Sequence, residues 1–248
     1  MNQPNEQNYE FARSLSRLVK GLSILFWGIP VALVVCVKTS VKNKFELQAI
    51  DFWGPITVTG LLLLSLFYIN DFRKSEKVWT DLIDRAKFFG IINFALSPFV
   101  YWRLRVADVP SFTVAVWIFF ISGTLFLLMV NRLIQQLSRM LPEHSLREDA
   151  SVYGRFNQIV LRVLAFVLFL SFVIIHWKER FYFFSYQFWR ALEVYQTYFS
   201  FITVVPVAMT MTLIWKTREV ILNGVFSNAC RELSGRRQSQ IENGIDER

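Results

Sequence analysis

The sequence predicts an all-α, polytopic membrane helix bundle: six transmembrane helices paired as three hairpins, with cytoplasmic amphipathic helices. Three observations carry that expectation. Apolar residues make up 54% of the 248 and charged residues only 19%, against about 45–50% and about 25% in soluble domains. The apolar residues gather into six stretches that contain no Asp, Glu, Lys or Arg. Lysine and arginine, finally, alternate in abundance between successive connecting segments. Together these exclude a disordered chain and a disulfide-stapled secreted module, and they argue against a soluble enzyme.

Hydrocarbon is about 30 Å thick, so a helix rising 1.5 Å per residue needs about 20 apolar residues to cross it. The six stretches are 21–37, 52–69, 88–102, 112–130, 163–177 and 197–215. The third and fifth are shorter than usual; the fifth extends backwards if Arg162 snorkels. Helices are expected because lipid offers no partner to an unpaired backbone group. The first stretch is followed by no small-residue cleavage motif, so it reads as a retained span. Residues 1–234 form one membrane domain, and 235–248, rich in Arg, Gln and Ser, form a disordered cytoplasmic tail.

Orientation follows from basic residues. Nineteen Lys and Arg fall in the N-terminal arm, the 70–87 and 131–162 loops and the C-terminal tail, and eight fall in the other loops. Six spans place both termini on the richer, cytoplasmic side; five would separate two basic termini. Trp53, Tyr101, Trp102 and Trp177 then mark outer ends, and Tyr68 and Trp215 inner ends, as aromatic belts do. The segment 181–199 holds ten aromatics in nineteen positions and reads as an anchor lying in the outer interface.

The inner loops carry helical periodicity. Phe72, Trp79, Ile83 and Ala86 form one stripe; Leu133, Leu137 and Met140 or Leu141 another, stopped by Pro142. Ser145 to Glu148 has capping-box spacing, which starts a helix running through Tyr153 and Phe156 into the fifth span. Leu222, Val225 or Phe226, Ala229 and Leu233 repeat the pattern in the tail. Aligning Pro30 with Pro98 pairs Arg17 with Arg85, Ile24 with Ile92 and Phe26 with Phe94, a match that shared hairpin grammar explains as well as duplication does.

Chemistry is sparse. Cys36 and Cys230 fall on opposite sides and are not expected to pair, and His144 and His176 fall in loops on opposite sides. No metal cluster, phosphate loop or nucleophile elbow is present in the sequence, so no cofactor is expected. Asp81 and Asp84, three apart, read as salt-bridged helix surface beside Lys77, Arg85 and Lys87. The candidate intramembrane polar site is Asn93, Ser97 and Pro98 on the third span. A short, Pro-interrupted polar helix is one pointer to a transport site, although Asn93 serves equally as glue to a neighbouring helix. Pro30 and Pro206 are expected to kink their spans. Arg13, Arg17, Lys20, Arg73, Lys74, Lys77, Arg85 and Lys87 make a basic inner rim for orientation and for anionic headgroups.

The leading expectation is therefore a non-enzymatic scaffold or assembly subunit of a membrane complex. The alternative is a channel or uncoupled small-molecule transporter built on the third span. The expected partners are the lipid bilayer and other membrane-protein subunits, not nucleic acid, because the basic residues sit beside apolar spans.

Overall fold

The computed structural model describes residues 3–40, 48–70, 72, 76–106, 109–140, 144–176 and 203–224. Among them there are six helices and no strand: α1 Gln3–Ser40, α2 Gln48–Asn70, α3 Lys77–Arg105, α4 Pro110–Met140, α5 His144–His176 and α6, 203–224. Four contain stretches long and apolar enough to cross a membrane: Arg13–Cys36, Phe52–Asn70, Pro110–Met140 and Ser151–Ile174. The anchor segment 181–199, Cys230 and the tail from 235 lie outside the described residues, as do Arg73, Lys74 and Pro142.

α4 runs to Met140, and α5 begins at His144 and continues through Tyr153 and Phe156, as the Leu133–Leu137 stripe and the capping-box spacing predict. The Trp79–Ile83–Ala86 stripe forms the first turns of α3, with all three side chains fully buried. Phe72 precedes the helix, and its ring meets Trp79 at 6.1 Å. The expected short third span is thus part of a helix of 29 residues, about 43 Å long. It carries Lys77, Asp81, Asp84, Arg85 and Lys87 at one end and Arg103 and Arg105 at the other, and it is not among the four apolar candidates. The fifth span, expected to be short, lies in a helix of 33 residues. His144 and His176, placed in loops by sequence, begin and end that same helix. α1 and α3 run without interruption past Pro30 and Pro98.

Neighbouring helices pack in chain order and antiparallel. In α1 and α2, a Cβ on Gly21 would stand 2.9 Å from the Ser65 carbonyl oxygen, and one on Gly28 would stand 2.8 Å from Leu62. Glycine at these positions lets two backbones approach closely, which dispersion between membrane helices requires. α2 and α3 meet through Phe52 and Tyr101, 5.4 Å between rings, and α3 and α4 through Phe99 and Phe112 at 5.7 Å. α6 touches both ends of the series. Its Trp215 ring lies 5.4 Å from Phe26 of α1, and its Thr210 bonds Asn157 of α5.

One apolar core joins α1, α2, α3, α4 and α6 through residues such as Leu22, Leu66, Ile83, Ile134 and Ile214. Among the described residues α5 contributes nothing to it. Leu161 and Leu164 of α5 are buried outside this core, and several polar contacts also join the helix to its neighbours.

Candidate functional site

Two buried polar regions lie between the helices. The first is the one expected from the sequence. Asn93 donates to the Phe89 carbonyl at 2.9 Å and accepts from Ser122 of α4 at 3.2 Å. Ser97, fully buried, donates to the Phe94 carbonyl at 2.8 Å. Gly123 lies beside Asn93, 3.4 Å from its Oδ1 to the place a Cβ would occupy. Both side chains thus have partners within the α3–α4 pair, and Pro98 sits one position beyond Ser97 on the same helix.

The second region links α4, α5 and α6 and was not foreseen. Asn131 donates to the Gly154 carbonyl at 3.1 Å. Asn157 donates to Thr210 Oγ1 at 2.9 Å, and Thr210 in turn donates to the Pro206 carbonyl at 2.8 Å. Gln158 Nε2 donates to Gln135 Oε1 at 2.8 Å, while Arg162 donates to Gln158 Oε1 at 3.2 Å. A Cβ on Gly154 would overlap the Gln135 carboxamide, so a larger residue here would have to displace that side chain. Several atoms of this region find no partner among the described residues: Asn131 Oδ1, Asn157 Oδ1 and Gln135 Nε2. An unsatisfied buried polar group costs about 1–3 kcal/mol, so such a cluster calls for an explanation.

The sequence shows helices across 131–162 but not this seam, because five arginines and several amides set the segment outside the apolar stretches. In the folded chain the amides face one another, and the apolar side chains Val152, Phe156, Ile159 and Val163 face outward. The usable signal was the spacing of Gly154, Asn157 and Leu161, which share one helix face. The candidate spans accordingly reach further than expected and take in Arg132, Arg139, Arg155 and Arg162.

Beside the seam, a cleft of about 430 Å³ opens between α4 and α5, lined by Gln135, Ser138, Arg139, Ser151 and Arg155. Arg155 Nε donates to the Ser151 carbonyl at 3.0 Å. Antiparallel packing puts this cleft at the same end of the bundle as the starts of α1 and α3. Of the basic rim, Arg13, Arg17, Lys20, Lys77, Arg85 and Lys87 stand at that end. Lys87 Nζ lies 5.3 Å from the centre of the Phe67 ring. Lys216 Nζ lies 5.8 Å from the centre of the Tyr153 ring.

Asp81 and Asp84 are paired on the exposed face of α3. Asp81 meets Arg85 at 2.9 Å and Asp84 meets Lys87 at 3.6 Å. Among the described residues no three His, Cys, Asp or Glu side chains gather as metal ligands do.

No protein-family model, no curated protein and no solved structure matches this chain.

Proposed function

We propose that this chain is a six-span integral membrane protein, both termini cytoplasmic, that serves as an interaction or assembly subunit of a membrane complex. The observation that carries the reading is the outward face of α5. Val152, Phe156, Ile159, Val163, Phe166 and Leu170 are all exposed and recur at alternating spacings of four and three. Together with the exposed Phe169 they make an apolar face running from Val152 to Leu170, an extent that suits a partner helix. α5 is also the least enclosed of the four candidate spans, with 22% of its apolar window buried against 33–39% for the others.

The orientation rests on the alternation of basic residues, to which the antiparallel packing adds that the richer segments share one end. Asn93 and Ser97 support structural use over transport, since each bonds within α3 or to Ser122. Interhelical bonds of this kind contribute about 0.6 kcal/mol on average.

A photo-crosslinking amino acid at Ile159 or Val163, activated in native membranes, tests the reading. The expected product is a protein adduct of discrete mass, absent when the probe replaces Trp27 on α1. Lipid adducts alone, together with recovery as a lone monomer in several detergents and in nanodiscs, would overturn it. Reporter fusions at the two termini test the topology, and reporters active in opposite compartments would exclude six spans.

A further inference from the structure

We propose that the cleft between α4 and α5 is a binding site for the phosphate group of an anionic phospholipid. The hydrogen bonds of the seam fix the polarity of its inner wall. Arginine can only donate, so Arg162 holds the Gln158 oxygen toward itself. The Gln158 nitrogen must then donate to the Gln135 oxygen, and this orients the last amide of the chain. What is left over is Gln135 Nε2, a buried donor that finds no acceptor among the described residues. The relay therefore begins on a cation and ends on N–H groups in a side chain that lines the cleft. Bonds in such a chain polarise one another in the same sense.

The remaining wall has matching chemistry. Arg139 and Arg155 add two guanidinium groups, and Ser138 and Ser151 add hydroxyls. Guanidinium groups are the side chains best suited to the planar, two-oxygen recognition of phosphate. The volume of about 430 Å³ lies within the usual range for a small-ligand site. No carboxylate is among the described lining residues. Gln135 Nε2 is buried beside Gly154, and a phosphate oxygen in the adjoining cleft is an acceptor of the kind the relay lacks.

A lipid fits better than a free phosphate because of what adjoins the cleft. On the surface of α5, the exposed side chains of Val152 and Phe156 flank Arg155, so the cleft borders an apolar surface. Tyr153, also exposed, sits at this level as interfacial aromatics do. The proposal rests on the reading that α4 and α5 cross the bilayer. If that reading failed, the protein would dissolve without detergent; if only this proposal failed, it would stay in the bilayer without lipid preference.

The full chain is reconstituted in nanodiscs of phosphatidylcholine, with or without phosphatidylglycerol, and retained lipid is weighed by native mass spectrometry. Phosphatidylglycerol should be retained selectively. Arg139→Gln with Arg155→Gln should weaken retention about thirtyfold, if each arginine contributes the effect usual for a charge near the membrane surface. Gln135→Glu, which keeps the shape but turns the terminal donor into an acceptor, should abolish it. Arg103→Gln with Arg105→Gln, the same charge loss at the other end of α3, should leave it unchanged. Arg155 is exposed, so Arg155→Gln alone serves if the double variant does not fold, with an expected weakening of about fivefold. Equal retention in all variants, or equal loss in both arginine pairs, would overturn the site. Inorganic phosphate protecting the wild type in pure phosphatidylcholine, with no selectivity for phosphatidylglycerol, would assign the cleft to free phosphate and overturn the lipid.

Discussion

The apolar core shared by α1, α2, α3, α4 and α6 and the polar seam that holds α5 are two solutions to the same problem. The core fills space mainly with interlocking leucine and isoleucine, with Trp79 fully buried among them. The seam uses amides in registered pairs, Asn131 with Gly154, Gln135 with Gln158 and Asn157 with Thr210. In lipid, apolar surface gains nothing by leaving water, so close packing and hydrogen bonds decide which helices associate. The core is therefore specified by shape and the seam by direction. A shape-specified contact fails when volume changes; a direction-specified one fails when a single partner is lost or displaced.

The largest expected effect lies in the core. Leu22→Ala removes a side chain only 1% exposed and should cost about 2–5 kcal/mol, seen as a lowered unfolding temperature in detergent by tryptophan fluorescence. Next comes the seam's tightest point. Gly154→Leu drives a side chain into Gln135 and should cost about 1–3 kcal/mol, while Gly224→Leu, where an added Cβ meets no described atom within 4 Å, should change stability by less than about 0.5 kcal/mol. If the contrast between the regions is sound, limited proteolysis of the Gly154 variant should open α5 before the core helices. Simultaneous loss of all six would make the seam part of one cooperative unit.

A smaller effect measures the seam's direction. The double-mutant cycle of Asn157→Ala and Thr210→Ala should give a coupling of about 0.6 kcal/mol, with about 1.7 as its upper bound. Zero coupling would reduce that bond to a geometric coincidence. The smallest concerns the surface. Asp81→Asn, which breaks an exposed pair with Arg85, should cost no more than about 0.5 kcal/mol, and the difference should disappear in high salt.

What the sequence disclosed and what it hid divide along the same line. The core was legible: Trp79, Ile83 and Ala86 recur at helical spacing and are buried together, and the α4 stripe of Leu133 and Leu137 was read correctly. Asn93 was legible as a polar point within an apolar run, though its partner Ser122 was not. The seam was illegible for a physical reason. Its amides satisfy one another across distances such as the 53 residues between Asn157 and Thr210, and no local pattern encodes such a pairing. The helices themselves were legible from the Leu133–Leu137 stripe and the capping-box spacing, but the interleaved arginines hid that their amides pair across helices. Span lengths were underestimated where charged turns continue an apolar helix, as at the start of α5, because charge ends a hydropathy signal without ending the hydrogen-bond ladder.

The contact between Phe26 and Trp215 has a consequence for biosynthesis. α1 leaves the ribosome before the other described helices, yet its Phe26 meets Trp215 only when α6, the last of them, arrives beside it. Until then a nascent bundle carries an unsealed side, where insertion machinery or a quality-control protease finds a handhold. A stop codon shortly before residue 203 would therefore leave the earlier helices made but never enclosed.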